Sequence, residues 1–257
     1  MCGIAGIHVC GGGVKRFEKS LDQMLSSMVH RGPDDLGKEN LGDLCLLGQR
    51  RLSIIDVSDN GRQPFTEEGR DISICVNGEI YNFLELRKEL QSLGYTFKSK
   101  SDSEVILHGY LEWGEEILNK LRGMFALAIF NKRENSLLLA RDRTGIKPIY
   151  YYKDDEKVIF ASEVTAILKS QEIEKNINLQ GLLAFSELGY LPQTHPFINK
   201  IIAVQAGEKV LFKENKIFKE FYWSYPLKTN SYSQEVSPEK LRNILQDSVD
   251  LHCQSDE

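Results

Sequence analysis

Cys2, the second residue of the chain, combines a position and a side chain that together can do chemistry. Removal of Met1 would leave a cysteine that carries both a thiol and a free α-amine. An α-amine has a pKa of about 7.7–8.0, so about a fifth of it is neutral near pH 7 and can accept the thiol proton. Nucleophile and base would then belong to one residue, without a histidine. The mechanism fails if Met1 is retained, and a terminal cysteine can also be incidental, so the interpretation depends on the accompanying residues.

The other cysteines do not form a recognisable framework. The chain has five cysteines, an odd number without a CxxC pair: Cys2, Cys10, Cys45, Cys75 and Cys253. We therefore expect neither a disulfide scaffold nor a metal site. Cys45 and Cys75 lie within apolar, strand-like runs, which favours core packing for both.

Composition limits the classes of function. The chain has 257 residues, of which 41% are hydrophobic and 27% charged, with a net charge of −5. This charge does not favour binding to nucleic acid or to anionic lipid. The sequence lacks both an apolar run of the roughly 18 residues that a membrane helix needs and a signal peptide. A cytoplasmic location is the resulting expectation.

Hydrophobic periodicity predicts the elements that would position Cys2. Residues 3–9 read as a strand, and Leu21, Met24, Leu25 and Met28 recur at helical spacing. Short apolar runs at 44–47 and 72–76 predict buried strands. Asn82 is a predicted N-cap of a helix, with Glu85 three residues later, and a further helix is expected over 104–112.

The stretch from Met124 to Ala161 contains four strand-like runs separated by turn sequences. It predicts a ladder of hairpins, and hence mainly antiparallel sheets with helices in two flanking blocks. Towards the end of the chain, Leu241, Ile244, Leu245 and Val249 form one face of an amphipathic helix. That helix resembles the opening of something longer.

Seven motifs occur in a specific order. They are MCGIAGI, HRGPDD, RRLSIIDVS, NGEIYN, SDSE, LRGMFALAIF and ARDRTGIKPIYY. Together they resemble the class II glutamine amidotransferases, specifically the N-terminal domain of glutamine-dependent asparagine synthetases. The resemblance is close over residues 1–165 and loose beyond. It implies an α+β fold of the N-terminal-nucleophile hydrolase type, a four-layer α/β/β/α sandwich of two antiparallel sheets between helices.

The resemblance implies an oxyanion hole at Asn77 and Gly78. The Asn77 side-chain amide and the Gly78 backbone N–H would stabilise the charge that develops on the glutamine carboxamide oxygen. An Asn-Gly pair is also a strong hairpin signal. A predicted helix rather than a second strand follows the pair, which favours the oxyanion interpretation.

The resemblance also implies a site for the charged end of glutamine. Arg51 matches the position that binds the α-carboxylate, and Glu79 and Asp102 match those that receive the α-ammonium. Alternatively, Arg51 could be a surface charge beside Arg50, and Asp102 could cap a helix. Backbone groups of a neighbouring stretch would line the site as well: Leu52, Ser53, Ile54 and Ile55.

The resemblance implies that residues 1–215 form a glutaminase domain and that 216–257 form a linker and a first helix leading to a synthetase domain absent here. The glutaminase would hydrolyse L-glutamine through a Cys2 thioester without a cofactor. ATP and Mg²⁺ would act in the synthetase domain, which would accept the ammonia, and a homodimer is compatible with the resemblance. A nucleotide loop such as SGGLDSS does not occur, so the chain is expected to be a truncated or a free-standing glutaminase.

Three alternatives remain open. The ammonia acceptor could differ from aspartate, as in relatives from surface-polysaccharide or natural-product pathways. A non-catalytic homologue would retain Met1. An amidohydrolase acting on larger amides would not need the pairing of Arg51 with Glu79 and Asp102.

Overall fold

The computed structural model describes residues 2–192, 196–225 and 237–253, apart from the side chain of Glu68. Within these residues the strands are β1 (Gly3–Val9), β2 (Asp35–Leu41), β3 (Cys45–Arg51), β4 (Phe65–Glu67), β5 (Ile72–Ile80), β6 (Gly123–Asn131), β7 (Ser136–Arg141), β8 (Tyr150–Lys153), β9 (Lys157–Ala161), β10 (Ile201–Ala203), β11 (Glu208–Lys213) and β12 (Lys216–Phe221). The α-helices are α1 (Glu18–Ser27), α2 (Phe83–Ser92), α3 (Glu104–Trp113), α4 (Ile117–Lys120), α5 (Val164–Lys169), α6 (Leu179–Leu188) and α7 (Pro238–His252).

The described strands form two sheets. The first sheet has the order β10-β8-β9-β1-β3-β2, and the second has the order β12-β11-β7-β6-β5-β4. Neighbouring strands in both sheets are antiparallel. The predicted antiparallel architecture is therefore confirmed.

Alternating side chains divide each strand between two layers of core. In β1, Ile4 packs between the two sheets, whereas Ala5 and Ile7 pack against α1 and α5 on the outer face of the first sheet. In β5, Cys75 packs between the sheets, and Ile74 faces the layer of α2, α3 and α4. Because successive side chains point to opposite faces, one strand contributes to two cores. The result is the expected four-layer α/β/β/α sandwich.

The same alternation brings polar side chains to one end of the space between the sheets. Cys2 is two residues from Ile4 and therefore lies on the same face of the first sheet. Gln49 and Arg51 lie on the same face of β3 as Leu47, which packs in the core between the sheets. In the second sheet, Asn77 and Glu79 lie on the same face of β5 as Cys75, which is the face towards the first sheet. Both sheets therefore direct polar residues into the same region.

Strand β5 is longer than the apolar run predicts. It continues through Asn77 and Gly78 to Ile80 and pairs with β6 along its whole length. The hairpin alternative for this Asn-Gly pair is therefore wrong. Asn82 does precede α2 at its N-cap, but its side chain does not cap the helix. Its amide instead bridges Lys120 O (3.0 Å) and Arg122 N (2.9 Å).

The four strands between Met124 and Ala161 do not form one ladder. Strands β6 and β7 pair in the second sheet, whereas β8 and β9 pair in the first. The connecting segment turns around Asp142, whose carboxylate accepts hydrogen bonds from the backbone N–H groups of Thr144, Ile146 and Lys147. The chain crosses between sheets here because this carboxylate fixes a compact loop in place of a hairpin turn.

The last described elements lie at the periphery. Strand β12 begins after residue 215, the predicted domain end, and pairs with β11 over six residues. The predicted amphipathic helix is present as α7, and its apolar residues are between 51% and 58% exposed: Leu241, Ile244, Leu245 and Val249. The division into domains stays a prediction. Among the helices that the structure describes, none has the length and apolar character needed to span a bilayer.

Candidate active site

Cys2 is held by the strand end that faces it. Its thiol lies 3.6 Å from Leu52 O and 3.4 Å from Leu52 N, so the backbone of one residue contacts the sulfur as both acceptor and donor. The carbonyl oxygen of Cys2 accepts a hydrogen bond from Arg31 Nε at 2.9 Å. Antiparallel pairing of Gly3 with Arg50 extends this alignment to the start of the described chain. Met1, on which the predicted base depends, lies outside the described residues.

The environment of the thiol favours its protonated form. Burial raises the pKa of Cys2 above its ordinary value, whereas the Leu52 N–H and the charge of Arg51 oppose this shift. Because the thiolate is the reactive form, a nucleophilic role requires a base to remove the proton. A neutral α-amine on the same residue would meet that requirement.

The loop with the HRGPDD motif supports the site. Arg31 links Cys2 O to Glu163, whose carboxylate lies 3.1 Å from Arg31 Nη1. Asp34 Oδ2 accepts a hydrogen bond from Ser53 N at 2.9 Å. Neither residue is predicted from the sequence to belong to the site. The HRGPDD motif was the available signal, but it does not show contacts between distant segments of the chain.

Gly78 presents its backbone groups to the open edge of β5. Its partner Phe125 directs both backbone groups towards Asp142: Phe125 N donates to Asp142 Oδ2 at 3.3 Å, and Phe125 O accepts from Asp142 N at 2.8 Å. In an antiparallel pair the opposite residue then points its N–H and C=O away as well. Strand β4 has already ended, since its last pair joins Phe65 to Ile74. The Gly78 N–H is thus directed to the pocket side.

A side chain at position 78 would not fit. A Cβ atom built on Gly78 would lie 2.1 Å from Met124 O and 2.6 Å from the Cα of Phe125. The preceding Asn77 is fully buried, and neither polar atom of its amide has a hydrogen-bond partner among the described residues. A buried amide without partners is costly, about 1–3 kcal/mol for each unpaired group. A bound polar ligand would remove that cost.

Two carboxylates lie near this edge. The Glu79 carboxylate has no hydrogen bond or ion pair with any described residue, and the residue is partly buried. Asp102 is only 5% exposed, and its Oδ2 accepts from Ile80 N at 2.7 Å. Burial raises the pKa of Asp102 to about 6, and the charge of Glu79 adds to the rise, whereas the bond from Ile80 opposes it. Both residues line the same cavity, where two neighbouring carboxylates would suit a cationic group.

Arg51 is buried, with 7% exposure, so the surface-charge alternative is wrong. Its guanidinium donates to the backbone carbonyls of a nearby turn: Ile55, Asp56 and Ser58. Three of its five N–H groups are thereby engaged, which leaves two for a carboxylate. Gly61 permits this packing, because a Cβ there would lie 2.2 Å from Arg51 Nη2.

One cavity is shared by nearly all of the predicted residues. It is lined by Cys2, Arg51, Leu52, Ile54, Ile55, Asn77, Gly78, Glu79 and Asp102. Ser53 is the exception: it lines the adjoining cavity, next to Asp34. The sequence analysis missed further lining residues: Gln49, Gly61, Gln63, Val76, Ser101, Ser103 and Lys147. Within the described residues, no group of three or more His, Cys, Asp and Glu side chains is arranged to hold a metal ion.

The cavity combines a thiol, two donors directed to one region, a guanidinium and two carboxylates. The structure thus brings together residues that the motifs single out, and comparison with known proteins identifies the family. The profile of the glutamine amidotransferase domain family matches residues 1–223. The chain belongs to this family. It is a class II glutamine amidotransferase domain, as the sequence motifs predict.

Similar proteins carry the name asparagine synthetase. Asparagine synthetase [glutamine-hydrolyzing] 1 of Bacillus subtilis strain 168 is 36% identical over 263 residues, which cover 100% of this amidotransferase domain and 40% of that protein. Putative asparagine synthetase [glutamine-hydrolyzing] 2 of Methanocaldococcus jannaschii is 34% identical, with coverage of 100% and 53%. The chain thus spans roughly half or less of these relatives.

A solved structure confirms the fold class of the amidotransferase domain. Glutamine phosphoribosylpyrophosphate amidotransferase from B. subtilis, complexed with ADP and GMP, superimposes with a TM-score of 0.60. The match covers 86% of this chain and 49% of that chain at 19% identity. At this identity the likeness concerns the fold, and it confirms the N-terminal-nucleophile hydrolase architecture.

Proposed function

We propose that this chain hydrolyses L-glutamine to L-glutamate and ammonia through a thioester on Cys2. After removal of Met1, the α-amine takes the thiol proton, and the sulfur attacks the carboxamide carbon. The C–N bond then breaks, and the leaving nitrogen takes this proton back from the protonated α-amine of Cys2 to depart as ammonia. Water attacks the thioester, which releases glutamate and restores the thiol. Glutamine hydrolysis requires no cofactor in this scheme.

The oxyanion of both tetrahedral intermediates lies between two donors. The Asn77 amide has no other partner among the described residues, and the Gly78 N–H is directed to the open edge of β5. Donors that are already aligned lower the free energy of the transition state without reorganisation. This arrangement supports Asn77 and Gly78 as the oxyanion hole.

The remaining charges fit the zwitterionic end of glutamine. Glu79 and Asp102 would receive the α-ammonium, and the two remaining N–H groups of Arg51 would bind the α-carboxylate. Backbone groups of Leu52, Ile54 and Ile55 line the cavity beside them. A site for both charges of a free amino acid argues against larger amides as substrates.

One observation carries the proposal: the partly buried thiol of Cys2 shares a cavity with the unpartnered Asn77 amide, the Gly78 backbone, the Arg51 guanidinium and the carboxylates of Glu79 and Asp102. The decisive experiment measures ammonia release from glutamine by the wild-type chain, Cys2→Ala and Cys253→Ala. Cys253 is exposed at the end of α7, so its variant is the matched control. We expect activity in the wild type and in Cys253→Ala, and none in Cys2→Ala. Turnover by Cys2→Ala would refute the thioester.

The state of the N-terminus separates the enzyme from a non-catalytic homologue. Intact-mass analysis should show a mature chain that begins at Cys2. Treatment with a glutamine analogue that carries an electrophilic diazoketone should then add one label, at Cys2. A chain that retains Met1 and remains unlabelled would instead indicate a non-catalytic role.

We further propose that the ammonia serves an ATP- and Mg²⁺-dependent synthetase domain that makes asparagine in the cytoplasm. The names of the relatives and the exposed apolar face of α7 support such a partner domain. The gene that encodes this chain should restore growth of a bacterium without asparagine synthetases on medium lacking asparagine. Continued dependence on asparagine, with glutaminase activity intact, would indicate a different acceptor or a glutaminase that does not carry its own synthetase domain. Light scattering would test for a homodimer.

A further inference from the structure

Strand β5 has an open edge where the site lies. Along this edge, every second residue directs its N–H and C=O away from β6. Ile74 pairs with Phe65 of β4, the last pair of that ladder, and Val76, Gly78 and Ile80 follow without a neighbouring strand. Since buried backbone groups need partners, something other than a strand must satisfy them.

Two glutamine side chains take the place of the strand at Val76. Val76 N donates to Gln63 Oε1 at 2.6 Å, and Val76 O accepts from Gln49 Nε2 at 2.6 Å. The chemistry of Val76 fixes both amide orientations, because an N–H needs an acceptor and a carbonyl needs a donor. Both glutamines are nearly fully buried, with 1% exposure for Gln49 and 5% for Gln63.

The two glutamines come from different parts of the fold. Gln49 projects from β3 of the first sheet, so its bond to Val76 joins the two sheets directly. Gln63 precedes β4, and a Cβ on Gly37 of β2 would lie 1.7 Å from its backbone carbonyl. The backbone carbonyl of Gln63 is therefore close to the first sheet. The hydrogen bond from Val76 N is accepted by the side-chain oxygen of Gln63 and not by its backbone.

Gly78 lies between two fixed points on this edge. On one side, the two glutamines hold Val76, and on the other, Asp102 Oδ2 accepts from Ile80 N at 2.7 Å. Between them, in the same register, the Gly78 backbone faces the cavity. Asn77, whose amide is the second donor, follows Val76 directly.

We propose that Gln49 and Gln63 are positioning residues for the oxyanion hole. They replace the missing strand neighbour of Val76 and thereby set the direction of the Gly78 N–H and of the Asn77 amide. This inference rests on the proposed function for its catalytic consequence, although the hydrogen bonds are independent of it. Oxyanion donors act mainly in the transition state, so a loss of alignment lowers kcat more than it raises KM.

Substitutions at Gln63 provide the first test. Gln63→Leu removes the acceptor, whereas Gln63→Glu keeps an oxygen in its place. Deleting an oxyanion donor outright costs about 10²–10³ in kcat, so we expect misalignment in Gln63→Leu to lower kcat roughly 10- to 100-fold with KM within about threefold. Gln63→Glu should recover most of this loss.

The same exchange at Gln49 should have the opposite result. Val76 O requires a donor, which a carboxylate cannot supply, so Gln49→Glu should be impaired. Its kcat relative to that of the wild type should fall further as pH rises, because only the protonated carboxyl can donate to Val76 O. If both glutamines only stabilised the fold, Gln63→Glu and Gln49→Glu would not differ in kcat in this way.

Ser73→Ala is the matched control. Ser73 lies in β5 and is 2% exposed, and its hydroxyl is 2.8 Å from that of Thr66. Its loss removes a buried hydrogen bond from the same strand without touching Val76. Thermal unfolding should show destabilisation comparable to that of Gln63→Leu, with kcat unchanged.

Amide NMR gives a readout that does not need activity. In Gln63→Leu the Val76 amide should exchange at least tenfold faster and the Gly78 resonance should shift, while the amides of β7 remain unchanged. An inactive wild type with these spectral changes would refute the proposed function and support the positioning by Gln63. A stationary Gly78 resonance, or a kcat within twofold of an active wild type, would overturn the inference.

Discussion

Cys2 differs from Cys45 and Cys75, although all three project into the space between the sheets. Cys45 and Cys75 are fully buried among apolar side chains, and burial raises the pKa of both thiols well above the ordinary value. Burial also raises the pKa of Cys2, but there the Leu52 N–H and Arg51 oppose the shift. Cysteine thus has an apolar environment in the middle of the inter-sheet core and a polar environment at the end of that core.

The transition between the two settings is abrupt. Cys75 and Asn77 lie on the same face of β5, two residues apart, yet the first packs in the apolar core and the second lines the cavity. Burial alone therefore does not decide which thiol can react. Open strand edges, which leave backbone donors and polar side chains available, distinguish the end of the layer from its middle.

Exchanging sulfur for oxygen at the two positions should have contrasting effects. Cys2→Ser should lower glutaminase kcat by at least roughly a thousandfold, because a hydroxyl is a much weaker nucleophile with this base. Cys75→Ser should leave kcat unchanged and destabilise the fold by about 1–3 kcal/mol, since it buries a hydroxyl. Steady-state kinetics and urea unfolding measure the two effects. An equal loss of kcat in both variants would contradict the comparison.

Removal of the Asp102 charge should weaken glutamine recognition. Asp102→Asn keeps an oxygen for the Ile80 N–H but loses the partner of the α-ammonium. Truncating one member of a buried charge pair costs about 2–5 kcal/mol, which corresponds to a fall in kcat/KM of roughly thirtyfold or more. A substrate analogue without the α-amine is the control, because its kcat/KM should hardly change. Equal effects on both substrates would contradict the assignment.

The same variant should stabilise the free protein at neutral pH. The pKa of Asp102 is raised from 3.8 to about 6, so the folded state holds this proton more tightly than the unfolded state. The associated stability is present below pH 4 and is lost as pH rises through about 6. At pH 7 ionised Asp102 therefore costs about 2–3 kcal/mol, which Asp102→Asn should recover. Denaturant unfolding at pH 7 and pH 4 would show the difference.

Local patterns predicted the parts of the fold that depend on nearby residues. The strand at Gly3–Val9, the helix with Leu86 and Leu90, and the amphipathic α7 all follow from periodicity. The assignment of β6 to β9 as one ladder was wrong, because the side chain of Asp142 redirects the chain between sheets. Strand pairing depends on such long-range contacts, which periodicity does not contain.

The candidate site shows the same division. The motifs led to Cys2, Asn77 and Asp102, which the structure brings to one cavity. Gln49 and Gln63 were missed because each acts on the backbone of Val76, 27 and 13 residues away. Side-chain contacts with a distant backbone leave no spacing pattern in the sequence.

The pH dependence of kcat/KM for glutamine should reflect the titration of Asp102, at the polar end of the inter-sheet space. Below about pH 6, Asp102 becomes protonated and no longer attracts the α-ammonium of glutamine. Titration of Asp102 should therefore lower kcat/KM about five- to sixfold between pH 6 and pH 5, in addition to the fall caused by protonation of the α-amine of Cys2. Asp102→Asn should lack this additional fall and keep only that of the α-amine. Profiles of the same shape for the wild type and Asp102→Asn between pH 5 and pH 7 would contradict the role of this carboxylate.

The smallest effect concerns the middle of the layer. Cys45→Ala removes a buried thiol from β3 and should destabilise the fold by about 1 kcal/mol, as expected for a small cavity. Its kcat should stay at the wild-type value, because Cys45 contacts apolar side chains and Gln49 lies beyond them on the same strand. Urea unfolding combined with ammonia release tests both points. A lower kcat would mean that packing in the middle of β3 is transmitted through Gln49 to Val76, so that the inert and the reactive ends are coupled along the strand.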